Sequence, residues 1–157
     1  MSVTIRKATI ADAEAACAVL RRSIIELCVA DHHNDPAILA HWLSNKRPEN
    51  IASWIALPDS TMLLAVEGKD VLGVGSVTDA GEITLNYVSP DARFRGVSRQ
   101  LMQALEARAK QSGNIRCHLT STMTARRFYL SRGYREDKPI PGKFGCGESY
   151  LMSKTLA

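Results

Sequence analysis

Val88-Ser89-Pro90-Asp91-Ala92-Arg93-Phe94-Arg95-Gly96-Val97-Ser98-Arg99-Gln100-Leu101 is the stretch on which the fold turns. A strand rich in aliphatic residues ends at Val88, a basic turn follows, and a helix begins with small residues at Gly96 and Ser98. Unpaired amide hydrogens at a helix N-terminus point toward any anion placed before them, and the helix dipole favours the same charge. Gly96 lets backbone approach a ligand closely, while Arg93, Arg95 and Arg99 raise the local positive potential. By itself the string R-x-x-G-x-S also describes a helix start carrying solvated arginines, so the flanking sequence has to decide.

Downstream, residues 96–113 carry Val97, Leu101, Leu105 and Ala109 on one helical stripe, with Gly113 as a stop. Residues 115–120 read as a strand and 122–132 as a helix ending at Gly133. Residues 134–136 and 149–154 close the chain as strands around a Pro139-Ile140-Pro141-Gly142 loop. Upstream, 61–67, 71–78 and 82–88 are short β-branched or aliphatic runs separated by Glu67-Gly68-Lys69-Asp70 and Asp79-Ala80-Gly81, which is hairpin chemistry. Before them stand a strand over 3–8, a helix over 11–30 broken by residues 31–36, and short helices over 36–45 and 48–57, each with proline near its first turn. Trp42 and Trp54 belong to those two helices as core or pocket wall. The order β, helices, βββ, α, β, α, β, β predicts one mixed α/β domain over residues 1–157.

With 157 residues, 45% hydrophobic and 23% charged, the composition excludes a disordered chain, a collagen and a membrane span. A net charge of +4 suits an anionic ligand but is too small to argue for nucleic acid. Cys17, Cys28, Cys117 and Cys146 form no C-x-x-C pair and no zinc spacing, so they read as buried thiols of a reduced compartment. Residues 1–7 lack the apolar core of a signal peptide, and a cytoplasmic protein without a membrane partner is expected. No metal is expected either, because His32 and His33 are adjacent without an i, i+4 partner.

Arg93-Phe94-Arg95-Gly96-Val97-Ser98 resembles the acyl-CoA pyrophosphate loop of the GNAT N-acetyltransferase superfamily, [Q/R]-x-x-G-x-[G/A], with Ser98 departing at the last small position. Ala125-Arg126-Arg127-Phe128-Tyr129-Leu130-Ser131-Arg132-Gly133-Tyr134 is similar to the family's A-x-x-[FL]-Y-x-x-x-G-[FY] segment, with Thr122 where the family usually has asparagine. Ile5-Arg6-Lys7-Ala8-Thr9-Ile10-Ala11-Asp12-Ala13 is a less specific family-like opening. The element order is family-like along the whole chain, while the specific motifs lie within 82–101 and 120–134. The resemblance implies a central, mostly antiparallel sheet of six to seven strands flanked by helices, with a splayed cleft between the fourth and fifth strands. It also implies an acyl-CoA-dependent N-acyltransferase: an acetyl group passes from acetyl-CoA, a cosubstrate, to a primary amine by direct attack in a ternary complex. A non-catalytic domain that binds or senses CoA is the alternative.

Carried over residue by residue, the resemblance assigns cofactor contacts to Arg93, Phe94, Arg95, Gly96, Val97, Ser98, Arg99, Thr122, Phe128 and Tyr129, and to backbone groups of Tyr87, Val88 and Ser89. The Val88 amide is the candidate donor to the acyl oxygen. Tyr129 is the candidate general acid, since a phenol stays protonated at neutral pH and can donate to a departing thiolate. Glu82 is the candidate base: it lies eleven residues before Arg93, where histone-acetylating members carry their glutamate. It shares strand parity with Thr84, Asn86 and Val88, so all four are expected to face one side. The candidate acceptor contacts are Asn86, Asp31 and His32, the last two because the resemblance implies that the first helices and their connecting loop line the acceptor pocket. Water can replace a side-chain base. The acceptor is a small-molecule or peptide amine; nucleic acid is not expected, because the arginines of the two motifs are explained by the phosphates of CoA. Homodimers are frequent in the family, so a homodimer is a further expectation.

Overall fold

The structure, a computed structural model, describes residues 2–157. Seven strands form one sheet in the order β1-β2-β3-β4-β5-β7-β6: β1 Thr4–Lys7, β2 Ser60–Glu67, β3 Asp70–Thr78, β4 Glu82–Val88, β5 Arg116–Ser121, β6 Arg135–Pro141 and β7 Glu148–Thr155. Every neighbouring pair is antiparallel except β4 and β5. The helices are α1 Ala13–Leu27, α2 Val29–His32, α3 Pro36–Leu43, α4 Pro48–Ile55, α5 Val97–Gln111 and α6 Met123–Ser131. The mixed α/β sheet expected from the sequence is present, and none of the described helices is long and apolar enough to cross a membrane.

The two faces of the sheet follow from strand parity. In β2, Met62, Leu64 and Val66 pack with Ala16, Leu20 and Ile51 of α1 and α4. Leu63 on the opposite face joins Leu101 and Leu105 of α5. A strand covered on both sides needs an unbroken apolar run, which Met62-Leu63-Leu64-Ala65-Val66 supplies. On β3, an added Cβ at Gly75 would stand 2.7 Å from Leu105 Cδ1, and one at Gly73 would stand 3.3 Å from Val97 Cγ1. The two glycines let α5 settle directly onto the sheet.

β4 and β5 pair at only Glu82 with His118 and Ile83 with Leu119. The next residue, Thr84, is a bulge: Ile83 pairs with Val77 and Leu85 with Ser76, so Thr84 is extra. A bulge bends its strand and increases the local twist, and here it turns β4 away from β5 just where the pairing ends. The cleft expected between the fourth and fifth strands therefore starts at Thr84.

Two local expectations are corrected. The helix expected over 11–30 is two helices, because the Cys28 N–H to Ile24 carbonyl bond stretches to 3.3 Å and the His32 side chain bonds the same carbonyl at 2.8 Å. His33, with φ 52°, then ends α2. Pro139, Ile140 and Pro141 lie within β6 rather than in a loop; β6 is the sheet's last strand, where an edge tolerates residues without an N–H.

Gly81 tests the start of the split. It has φ +89°, and a Cβ there would stand 2.7 Å from the Arg116 carbonyl of β5; Gly113 has φ +94° with nothing within 4 Å. Gly113→Ala should cost about 1 kcal/mol from left-handed backbone alone, and Gly81→Ala about 2–4 kcal/mol, by urea unfolding monitored in the far ultraviolet. Equal losses would mean that β4 and β5 do not approach this closely at Gly81.

Candidate active site

The first cavity, of about 540 Å³, lies between β4, the N-terminus of α5 and α6. Gly96, with φ +76°, precedes α5, and no side chain caps the helix. The helix ladder opens with Gln100 N–H to the Gly96 carbonyl at 3.1 Å, so the amides of Val97, Ser98 and Arg99 precede it unbonded among the described residues. An added Cβ at Gly96 meets no protein atom within 4 Å. These are the features of an anion cradle: free donors, a favourable dipole and room beside the backbone. Arg93, Phe94 and Arg99 line the same cavity.

The second cavity, of about 570 Å³, opens on the other side of the split, against α3, α4 and the turn at Lys143–Gly145. Thr84, Leu85, Tyr87, Thr120 and Thr122 line both cavities, so the two meet where β4 and β5 part. Strand geometry decides which backbone donors face that junction. The Ser89 amide bonds the Leu72 carbonyl of β3 at 2.8 Å. Backbone direction alternates along a strand, so the Tyr87 amide also faces β3, while those of Asn86 and Val88 face the split.

Tyr129 stands at the first cavity, buried to 6% exposure. Asn86 Nδ2 donates to the Tyr129 hydroxyl oxygen at 3.1 Å, which leaves the phenol hydrogen for another acceptor. Burial raises the phenol to about 12, against a smaller lowering by Asn86, so it is protonated at every physiological pH. Asn86 Oδ1 is a buried oxygen without a partner, the one such side-chain atom among the described residues. A ligand amide hydrogen would satisfy it.

Of the residues assigned to the cofactor by resemblance, Tyr87, Val88, Arg93, Phe94, Gly96, Val97, Ser98, Arg99, Thr122, Phe128 and Tyr129 line the first cavity. Ser89 and Arg95 do not. The amide, carbonyl and hydroxyl of Ser89 are engaged by Leu72, Ala92 and Asp91 respectively. Arg95 turns to Glu67 of β2, with Nη2 2.6 Å from the carboxylate. Glu82 does not share the face of Asn86 and Val88 as strand parity suggests, because the bulge at Thr84 reverses that parity. Ile83 packs on the α5 side of the sheet and Leu85 on the α1 side. Glu82 also lies one pleat below the split, exposed and lining neither cavity.

The histidine expected to face an acceptor is structural. His32 is fully buried; its Nε2 donates to the Ile24 carbonyl at 2.8 Å and its Nδ1 accepts from the Asn34 amide at 2.9 Å, leaving no free ring nitrogen. Asp31 does line the second cavity, yet its oxygens accept from the amides of Met123 (2.8 Å) and Thr124 (3.0 Å) and from the Thr124 hydroxyl. It caps α6 together with Thr122, whose hydroxyl accepts from Ala125 N at 3.2 Å. No three His, Cys, Asp or Glu side chains among the described residues converge as a metal site requires.

Sequence reasoning missed Lys46, Phe144 and Cys146 in the second cavity and Ser23, Leu27 and Cys28 in the first. Only the helical stripe of α1 could have signalled Ser23 and Leu27; the others reach the site through tertiary packing.

A family model described as an acetyltransferase (GNAT) domain matches residues 28–146. Among solved structures, a GCN5-related N-acetyltransferase from Rhodopseudomonas palustris superposes with a TM-score of 0.87 at 22% identity, over 99% of this chain and 97% of that one. PaiA N-acetyltransferase from Thermoplasma acidophilum, solved in complex with coenzyme A, gives 0.85 at 20% identity over 99% and 100%. YncA from Salmonella typhimurium, solved with acetyl-CoA, gives 0.75 at 22% identity over 100% and 95%. At these identities the likeness is one of fold. No curated protein matches the chain in sequence.

The Asp31 cap generates a stability test. Asp31→Ala removes the buried carboxylate that accepts from the part-buried Met123 and Thr124 amides and the Thr124 hydroxyl, and should cost about 2–4 kcal/mol in urea unfolding. Asp35→Ala removes an exposed cap whose Oδ1 accepts from Ala37 N at 2.9 Å, and should cost about 1 kcal/mol. If Asp31→Ala costs no more than Asp35→Ala, Asp31 does not hold the N-terminus of α6.

Proposed function

We propose that this chain, which belongs to the GNAT acetyltransferase family, moves an acetyl group from acetyl-CoA to a primary amine by direct attack within a ternary complex. The observation that carries this reading is the meeting of two cavities at the split of β4 and β5, with a protonated, donor-oriented Tyr129 on one side of it. Acetyl-CoA is a substrate here, and the residues present fit it. The free amides of Val97, Ser98 and Arg99 would hold the pyrophosphate, and Arg93 and Arg99 would add positive charge. The orphaned Asn86 Oδ1 suits an amide hydrogen of the pantetheine arm.

Each requirement of acyl transfer has a candidate in the chain. The split holds thioester and amine side by side, which replaces a bimolecular encounter with a positioned one. The Val88 amide faces the split and would donate to the carbonyl oxygen as negative charge develops there. Asn86 fixes the Tyr129 hydroxyl as its acceptor, so the phenol hydrogen is available to the leaving sulfur. Neither cavity is lined by histidine or glutamate, and Glu82 stands outside both, so water is the proposed route for the ammonium proton.

Two thiols border the cavities, and an acyl-cysteine route would need one of them as thiolate. Burial, followed by Asp31 and Cys146, pushes the Cys28 thiol to about 12. Burial and then Asp31 also raise Cys146. Both are protonated at neutral pH, which favours direct attack by the amine. The open second cavity likewise supports an enzyme over a CoA sensor, which would need no room for an acceptor.

Two outcomes are expected. Gly96→Asp puts a carboxylate where the pyrophosphate would lie, and calorimetric titration should find acetyl-CoA affinity largely lost in a folded protein. Unchanged affinity would remove the cradle. Tyr129→Phe should keep acetyl-CoA affinity but lower kcat by about 10²–10⁴-fold, the usual range for a general acid. Because the hydroxyl is buried and partners Asn86, the same change should also cost about 1–3 kcal/mol of stability. Turnover of Tyr129→Phe at the parent rate would return Tyr129 to a packing role.

A further inference from the structure

The second cavity contains a buried cation that acetyl transfer itself does not require. Lys46 is 5% exposed and lines the cavity wall. Its Nζ donates to Asn45 Oδ1 at 2.8 Å and lies 5.0 Å from the centroid of the Phe144 ring, part of the same wall. Among the described residues no carboxylate pairs with Lys46 or with Lys143, which borders the cavity beside it. The acidic residues in the lining do not change this: Asp31 is engaged by the N-terminus of α6, and Asp59 is exposed.

A buried ammonium without a counter-ion is unfavourable, and proteins keep one where something else pairs with it. Burial, then Lys143, holds the Lys46 ammonium down at about 8, so it is still mostly charged at neutral pH. Around it the wall is apolar and aromatic, with Trp42, Trp54, Leu57 and Phe144. Walls of that kind bury an apolar body, and the few polar groups among them fix its orientation.

We infer that the acceptor is an amino carboxylate: a small molecule whose amine reaches the junction at Thr84 and Thr120, whose apolar body lies against Trp54 and Phe144, and whose carboxylate is received by Lys46. The inference rests on the acetyl-transfer reading, because it names the occupant of that reading's acceptor cavity. The same lysines repel a polycationic amine. One carboxylate suffices to neutralise the single buried ammonium, while Lys143 at the exposed side adds a longer-range attraction.

Both tryptophans of the chain line this cavity, so their fluorescence reports its occupancy independently of any acyl transfer. The folded chain is titrated, with and without saturating CoA, with L-phenylalanine, L-methionine, L-leucine and β-alanine, with the primary amide of each, and with spermidine. Saturable change is expected with at least one amino carboxylate. Its amide and spermidine should bind at least about tenfold more weakly, and Lys46→Met should weaken the carboxylate by about tenfold to a hundredfold. Lys46→Arg should keep most of the affinity, and it decides the matter if Lys46→Met fails to fold by near-ultraviolet circular dichroism. Amides binding as well as carboxylates, indifference to Lys46→Met, loss of affinity in a folded Lys46→Arg, or no saturable change with any carboxylate would each overturn the proposal. Calorimetry with acetyl-CoA on the same samples separates the two readings. Failure there sinks acetyl transfer whatever the tryptophans report, whereas retained acetyl-CoA affinity with a negative titration sinks only the amino-carboxylate acceptor.

Discussion

Everything at the site depends on the parallel contact between β4 and β5 stopping after Ile83. A sheet that paired these strands to their ends would engage the amides of Asn86 and Val88 and bury the space between the two cavities. The bulge at Thr84 prevents that by bending β4, while β3 continues to hold its other edge as far as Val88. The fold thus obtains unpaired backbone donors in a sheet interior without exposing an outer edge. That arrangement is costly only until a ligand supplies the missing partners.

The polar groups around the split divide between those locked by the protein and those left available. Asp31 and His32, adjacent in sequence, both belong to the first class: one holds α6 and the other closes the bend between α1 and α2. Thr122 also works for α6. Left available are the amides at the start of α5, Asn86 Oδ1 and the Tyr129 hydrogen on one side, and Lys46 on the other. This division could not be read from residue type, since Asp31 and His32 have the more reactive chemistry and Lys46 lies in a turn with no motif.

The sheet, the α5 cradle and the α6 segment were legible because each rests on a local signal. Those signals are strand parity around turn residues, a glycine before an apolar stripe, and a helix bracketed by Thr122 and Gly133. Errors arose where tertiary context overrides such signals. Pro139 and Pro141 look like loop residues, but an edge strand admits them. Arg95 looks like a phosphate ligand until Glu67, twenty-eight residues away, claims its guanidinium. Glu82 stands an even number of residues from Asn86 and Val88, but the bulge at Thr84 reverses the faces between them, and the strands separate only beyond it. The acceptor cavity was least legible, since α3, α4 and the turn around Phe144 meet there through aromatic packing, with Trp42 and Phe144 stacked at 6.0 Å.

The bonds from Thr124 to Asp31 close a loop of ninety-three residues, among the longest-range polar contacts in the chain. A contact of such separation must close a long loop before it is rewarded, and it can form only once both of its segments exist. A nascent chain that has emerged only as far as α5 already contains Asp31 and the helices around it, but none of the donors that satisfy the carboxylate. Until α6 emerges, burying α2 against α1 would strand a charge, so the N-terminal helical layer has reason to remain open to solvent during synthesis. The cap that orders the site thereby also sets when in the life of the chain the site can exist.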